Sequence, residues 1–320
     1  MARPYEVVLA TWNGAAFLDQ QLASIEAQSV RPQRILVADD ASSDATPALL
    51  ERWRMRSLVP LEVLPALTSR QGSCASFERL LAASRAAYVM PADQDDIWEP
   101  DKAARLLRAM AALELRWGTA QPLLVHSDLS LIDADGHRLG SSFHRFQGLR
   151  PGHDRWLAIA LQNVVSGCAC LVNRACVEQA LPFPAEVVLH DWWLALVAAH
   201  RGAIGYVPQA CVRYRLHGGN EVGALGWRRQ LRRRLHQGLA ADGPERLVGP
   251  GLRQLRACVE RFGPGDDPRQ SQALADLFHP SPLHRSRGAL ALRLRKHGLW
   301  RTLGFYGALW RWQPQRAATA

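Results

Sequence analysis

Residues 88–101 read Tyr-Val-Met-Pro-Ala-Asp-Gln-Asp-Asp-Ile-Trp-Glu-Pro-Asp, and the way this stretch folds decides the rest of the chain. Its first half is an apolar run of strand length. Its second half presents Asp93, Asp95 and Asp96 within four positions. Carboxylates this close repel, and each raises its neighbour's pKa. A divalent cation relieves the conflict, and Mg²⁺ is commonly held by one or two carboxylates together with substrate phosphates. A strand ending in such a cluster predicts a rim where a metal meets a phosphate compound.

Working upstream, strands and helices alternate. Tyr5 to Ala10 is a short apolar run that ends in Thr11-Trp12-Asn13-Gly14, a strand and a turn. Phe17, Leu22 and Ile25 have helical spacing across 15–28. Arg34 to Ala38 predicts a second strand, stopping at Asp39-Asp40. Ser43 or Asp44 is placed to cap a helix over 48–58, and Pro47 suits its first turn. Leu61 to Leu64 predicts a third strand, and Phe77 to Ser84 a further helix. The alternation predicts a mostly parallel sheet with helices on both faces. Ligands in such sheets bind beyond the carboxyl ends of the strands. Thr11–Gly14, Asp39–Asp44 and Asp93–Asp96 are therefore expected to share one rim.

Downstream, Leu123 to Ser127 predicts a strand with Asp128 just beyond it, and 133–136 a hairpin turn. Residues 163–173 predict a strand pair, or one long strand, around Gly167. That would set Cys168 and Cys170 on the same side. Leu189 to Trp193 opens an apolar helix running to about His200. Ala203 to Val207 and Val212 to Asn220 predict two strands, the second entering a Gly-rich loop.

Lys and Arg number 39 against 29 Asp and Glu, a net charge of +10, and the excess lies mostly in the last third. Such a balance fits nucleic acid, an anionic membrane or a phosphorylated substrate. An acidic rim with no RNA-binding signature argues against nucleic acid. The six cysteines show no zinc spacing, which suits thiols buried in a reducing compartment. No apolar stretch reaches the roughly 20 residues of a spanning helix, and the N-terminal run is too short for a signal peptide. The expectation is a cytoplasmic protein. Stretches near 242–251 and 263–269 are rich in Gly, Pro and Asp and read as linkers. Trp227 to His236 and 285–312 interleave Arg with Trp and Leu, which suits a helix lying on an anionic leaflet.

Each constellation has a structural and a chemical reading. Asp93-Gln94-Asp95 is a solvated turn or a metal site, with Asp96 capping the helix near Pro100 in the first case. Asp39-Asp40 is a turn and cap, or an acid that bonds a nucleobase or ribose. No Gly-x-Gly-x-x-Gly follows the first strand, and no phosphate-binding Gly-x-x-x-x-Gly-Lys occurs anywhere. In His190-Asp191-Trp192-Trp193, Asp191 is a helix cap or a general base whose pKa the Trp rings raise by desolvation. His217, before Gly218-Gly219, is structural or closes over a diphosphate or metal.

Thr-Trp-Asn-Gly, Asp-Asp-Ala-Ser-Ser-Asp-Ala-Thr, Asp-Gln-Asp-Asp-Ile-Trp-Glu-Pro-Asp-Lys, His-Asp-Trp-Trp and Tyr-Arg-Leu-His-Gly-Gly-Asn occur in that order. Over about residues 4–223, this series resembles the family 2 glycosyltransferases, inverting enzymes of the GT-A fold. Within that family it is most similar to bacterial rhamnosyltransferases of surface-polysaccharide assembly.

The resemblance implies a Rossmann-like α/β domain over 1–223, its mixed, mostly parallel sheet flanked by helices; the composition of 224–320 reads as a basic helical extension. It implies that Thr11, Asn13, Asp39, Asp40, Arg70 and Asp93 bind the nucleotide. Asp95, with His217, would hold Mg²⁺ or Mn²⁺, and Asp191 would be the catalytic base. Asp96, Trp98, His190, Trp192 and Trp193 would shape the sugar or acceptor pocket. The implied donor is dTDP-rhamnose, with a UDP-sugar as the alternative, and the implied acceptor is a growing or lipid-linked glycan. The hydropathy and the basic tail, read together, predict a cytoplasmic protein that can sit peripherally on the inner face of the plasma membrane. A nucleotide-sugar-binding relative without turnover is the competing class, which intact Asp95 and Asp191 disfavour. Family members often carry Asn where this chain has Ser76.

Overall fold

The computed structural model describes residues 4–152, 155–217, 243–265 and 267–314. Four parallel strands form one half of the sheet: β1 (Tyr5–Thr11), β2 (Ile35–Asp39), β3 (Leu61–Val63) and β4 (Tyr88–Asp93), in the order β3-β2-β1-β4. Nearly every residue of β1 is buried, as expected of a parallel strand covered on both faces. Its side chains alternate between two cores. Val8 joins Leu36 and Val89 on one face, while Val7 and Leu9 join Ile35, Val37 and Met90 on the other. Helices α1 (Leu18–Glu26), α2 (Thr46–Arg56) and α4 (Lys102–Trp117) cover the second face. Helix α3 (Ser73–Ala83) covers the first.

The other half is mixed. The short β5 (Ile97–Trp98) follows the acid cluster, and β6 (Leu123–Ile132) forms a hairpin with β7 (Arg138–Gly140). Antiparallel β8 (Cys170–Asn173) lies between β4 and β6, and β9 (Ala203–Arg215) runs parallel to β6. The sheet curls until β9 also pairs with β5, setting Trp98 opposite Val212 and Ile97 opposite Arg213. This curl returns the end of β9 to the acid cluster.

Several expectations change. Residues 163–173 are a loop, a single 3₁₀ turn (Gly167–Ala169) and then β8, so Cys168 and Cys170 enter different cores. Asp128 lies inside β6, where the pairing to β9 slips between Ser127 and Leu129. The slip absorbs Pro208, which lacks a ladder N–H, and lets 203–215 run as one strand. Asp96 caps no helix; α4 starts at Lys102. The turn at 133–136 is as expected, closed by the Gly136 amide on the Asp133 carbonyl at 3.1 Å.

Two short helices, α5 (Phe143–Gln147) and α6 (Trp156–Leu161), precede the 3₁₀ turn; α7 (Arg174–Ala180) and α8 (His190–Arg201) follow β8. The C-terminal part is helical: α9 (Pro244–Phe262), α10 (Pro268–Leu277), α11 (Pro282–Ala291) and α12 (Leu299–Arg311). The stretch read as a linker at 242–251 lies largely in α9, with Pro244 in its first turn. Gly251 is needed there, because a Cβ would sit 2.5 Å from the Ala160 carbonyl of α6. Val248, Leu252, Leu255 and Phe305 share one apolar core with Trp193 and Leu194 of α8. These helices are therefore packed onto the sheet domain. The basic run Trp227–His236, the loop 218–220 and the boundary expected at 223 lie outside the described residues.

Candidate active site

The carboxyl ends of β1, β2 and β4 meet at one rim. Thr11 pairs in register with Asp39, and Ala10 with Asp93. The Thr11 hydroxyl donates to Asp39 Oδ1 at 2.8 Å, and Ser42 donates to the same carboxylate through its amide (3.0 Å) and hydroxyl (2.6 Å). Asn13, in the left-handed region at φ 48°, accepts from the Ser43 amide at 2.8 Å. Asp40 is buried and accepts from the Gln71 and Gly72 amides at 2.7 and 2.8 Å. It thereby ties the 70–72 loop to β2. The Arg70 guanidinium lies 3.8 Å from Asp40 and stacks 3.6 Å from the centre of the partly exposed Trp12 ring. Gln94 pairs with the Trp12 backbone through both its amide groups, at 2.7 and 2.9 Å. A Cβ at Gly14 would sit 2.1 Å from Gln94 Oε1, so a larger residue there would displace the Gln94 side chain from the Trp12 backbone.

The three acids separate in environment. Asp95 is 13 % exposed, and its Oδ2 lies 2.7 Å from Nε2 of His217, itself 17 % exposed. Asp96 is fully buried. Desolvation, then the Asp95 and Asp93 charges, push its carboxyl well above the usual range. Its Oδ1 accepts from the Arg215 amide at 3.2 Å, and the Cys168 thiol lies beside the carboxyl. Asp93, Asp96 and Cys168 bring ligand atoms within 4.8 Å of one another. Arg215, also buried, donates to the carbonyls of Asp95 (2.9 Å) and Ala134 (2.7 Å) and to Gln20 Oε1 (2.7 Å). It clamps the acid turn to the β6–β7 hairpin and to α1.

The 3₁₀ turn links this cluster to Asp191. The Gly167 amide donates to Asp191 Oδ2 at 2.9 Å, and Asn163 Nδ2 donates to Oδ1 at 3.1 Å. The Val165 amide bonds Asn163 Oδ1 at 3.0 Å and so turns the Asn163 amine toward Asp191. Asp191 occupies the first turn of α8, and burial pushes its pKa up to about 6 against these stabilising donors. His190 stacks on Phe77 with ring centres 3.6 Å apart. Desolvation lowers its pKa to about 3, so the ring is neutral. A Cβ on Gly167 would meet His190 Nε2 at 2.5 Å, so only glycine brings this amide to Asp191.

The residues expected to line a sugar pocket divide. Trp193 is core, its indole N–H bonded to the Ala180 carbonyl at 3.0 Å, and Trp192 bonds the Ile159 carbonyl at 2.6 Å. Trp98 is buried under Lys102, whose Nζ lies 3.1 Å from the ring centre and donates to the Cys168 carbonyl at 2.6 Å. Asp96, Trp98 and Trp193 thus support the site from beneath and do not face a ligand directly. Burial lowers the Lys102 pKa to about 7. Sequence reasoning assigned nothing to Asn163, Gly167, Cys168, Lys102 or Arg215. Arg215 stands inside a quoted motif, but Asn163 carries no local signal, since its partner is 28 residues away.

Asp95 and His217 are donors of the kind a divalent cation takes, whereas Asp93 groups with Asp96 and Cys168. That carboxylate and imidazole are in contact and partly open, at the edge of the acid cluster.

Residues 6–117 match the model of the family described as Glycosyl transferase family 2. The chain is similar to the dTDP-rhamnosyl transferase RfbG of Shigella flexneri, 24 % identical over 222 residues, covering 68 % of this chain and 74 % of the relative. It is 23 % identical over 223 residues to an uncharacterized glycosyltransferase of Nostoc, covering 67 % of this chain and 65 % of that one. Among solved structures, S. aureus TarS 1–349 in complex with UDP-GlcNAc aligns with a TM-score of 0.54 at 17 % identity, over 95 % of this chain and 79 % of that one. The mannosyltransferase PcManGT from Pyrobaculum calidifontis, in complex with GDP-Man and Mn²⁺, aligns at 0.53 and 19 %, over 92 % and 75 %. The fold is that of the GT-A glycosyltransferases. The resemblance to family 2 holds over residues 6–117, and the likeness to the solved structures is one of fold.

Proposed function

We propose that the chain is an inverting, metal-dependent transferase that moves a deoxyhexose, L-rhamnose from a dTDP donor being favoured, to a growing glycan or lipid-linked acceptor. The observation that carries this is the Asp191 carboxylate, half-buried and tuned to about 6, one 3₁₀ turn from the acid cluster. The rhamnosyl donor rests on the likeness to a dTDP-rhamnosyl transferase.

Asp191 is mostly ionised at neutral pH and takes the proton of the acceptor hydroxyl. That oxygen attacks the anomeric carbon from the face opposite the diphosphate. The bond from the anomeric carbon to the diphosphate oxygen breaks, and the nucleoside diphosphate leaves with the electron pair. A base so placed contributes about 10²–10⁴ in rate. Asp95 and His217 would hold Mg²⁺ or Mn²⁺, which when bound neutralises the charge on the leaving diphosphate, with Asp93 at the ribose. Thr11, Asn13, Asp39 and Arg70 bind the nucleotide at the neighbouring strand ends, and Asp40 holds the 70–72 loop in place.

A nucleotide-release screen over dTDP-, UDP- and GDP-sugars with Mg²⁺ or Mn²⁺ tests this. dTDP release from dTDP-rhamnose, slow without acceptor, is expected to exceed every other donor. A preference for UDP-hexoses replaces the rhamnosyl assignment, and no metal-stimulated release from any donor refutes turnover.

A further inference from the structure

Helix α12 has one face that no described residue covers. Trp300 is 77 % exposed, Leu303 53 % and Trp310 49 %. With Gly304 and Gly307, also exposed, they recur three and four residues apart and form one stripe. The opposite side of the helix is satisfied. Phe305, Ala308 and Leu309 are buried in the main core, and Trp312 donates to Glu245 Oε2 at 2.7 Å. The stripe is therefore surplus to folding. A large apolar patch left in water marks an interaction surface.

The charge in this part of the chain is mostly basic. Exposed Arg293 and Arg295 stand on the segment just before the helix, and exposed Arg311 at its end. After Asp276 no Asp or Glu occurs to the end of the chain. Indole rings and leucine between arginines, with Glu245 turned to Trp312 and Arg253, complement a surface that is apolar below and anionic above. A second copy of the same face would set arginine against arginine. No helix among the described residues is long and apolar enough to cross a membrane, so this face would lie on a bilayer and not span it.

We infer that the α12 face, with Trp300, Leu303 and Trp310 inserted and Arg293, Arg295 and Arg311 at the headgroups, docks the protein on an anionic lipid surface. This does not depend on the glycosyl-transfer reading.

The test is flotation of the full chain with vesicles of phosphatidylcholine alone or mixed with phosphatidylglycerol. Binding is expected only to the mixed vesicles. It should weaken steeply as salt rises from about 0.1 to 1 M, which shortens the screening length from about 10 to 3 Å. Each cation near an anionic leaflet is worth about fivefold, so Arg293→Gln with Arg295→Gln is expected to weaken binding about 25-fold. Trp300→Glu with Trp310→Glu is expected to abolish flotation while circular dichroism and urea unfolding stay unchanged. The inference is overturned if wild-type protein fails to float. It is equally overturned if both double variants float like wild type, or if the Trp variants only convert a dimer to monomers.

Discussion

His217 Nε2 lies 2.7 Å from Asp95 Oδ2, although 122 residues separate them in the chain. The curl of the sheet makes the contact, because β9 pairs with β5 immediately after the acid turn and delivers its end to Asp95. Two candidate metal ligands are therefore set in place before any ligand arrives.

If this pair holds the cation, Asp95→Ala abolishes metal-stimulated donor turnover. His217→Ala is milder, expected to raise the Mn²⁺ needed for half-maximal turnover about 10–100-fold. Metal titration of both variants, with Mn²⁺ binding followed directly by isothermal calorimetry, checks this. Unchanged Mn²⁺ affinity in both variants removes the metal role.

Asp191 links activity to pH. As the base it must be ionised, so kcat/KM is expected to rise with pH through about 6 and then level. Asp191→Asn keeps donor binding and loses about 10²–10⁴ in transfer. Stability moves the other way. The folded pKa lies above the ordinary 3.8, so the folded chain holds this proton more tightly than the unfolded one. The stabilisation is full below about pH 4 and is lost as pH rises through about 6. At about 1.4 kcal/mol per unit, Asp191→Asn is expected to gain up to about 3 kcal/mol at pH 8 and nothing at pH 4, by urea unfolding.

Asn163 is a positioning residue for that base. Its N–H bond stabilises the ionised carboxylate and holds the pKa down. Asn163→Ala should move the acid limb of the pH–rate profile to higher pH while donor KM stays near wild type. A profile with its limb in place shows that Asn163 only fills space.

Arg215 is the clamp of the acid turn. Removing a buried, fully engaged guanidinium strands the carbonyls it serves, so Arg215→Met should cost about 3–5 kcal/mol. Arg215→Lys restores charge without the fork and should recover only part. Urea unfolding measures both, and a loss under about 1 kcal/mol for the Met variant denies the clamp.

The local rules carried the parallel half of the sheet well. Helices α1 and α2 lie within two or three residues of their expected positions, and the strand-end motifs share a rim, as Thr11 opposite Asp39 shows. Periodicity and turn chemistry act between near neighbours, and parallel strands must start and finish together. The mixed half was less legible. Gly167 was placed in a strand because its neighbours are apolar, yet there they fill cores on either side of a turn. Gly and Pro at 243–251 suggested a linker where Gly251 allows two helices to approach closely.

By itself, the sequence determined that acids crowd the end of the strand at 88–93 and that this end shares a rim with the ends of the first two strands. Local composition carries that information, since apolar runs make strands and clustered carboxylates need relief. Tertiary structure alone decided how the acids differ. Asp96 is sealed beneath Arg215, Asp95 meets His217, and Asp191 is reached through Gly167. Desolvation and hydrogen-bond partners depend on which distant segments the curled sheet brings together, and no spacing along the chain encodes that.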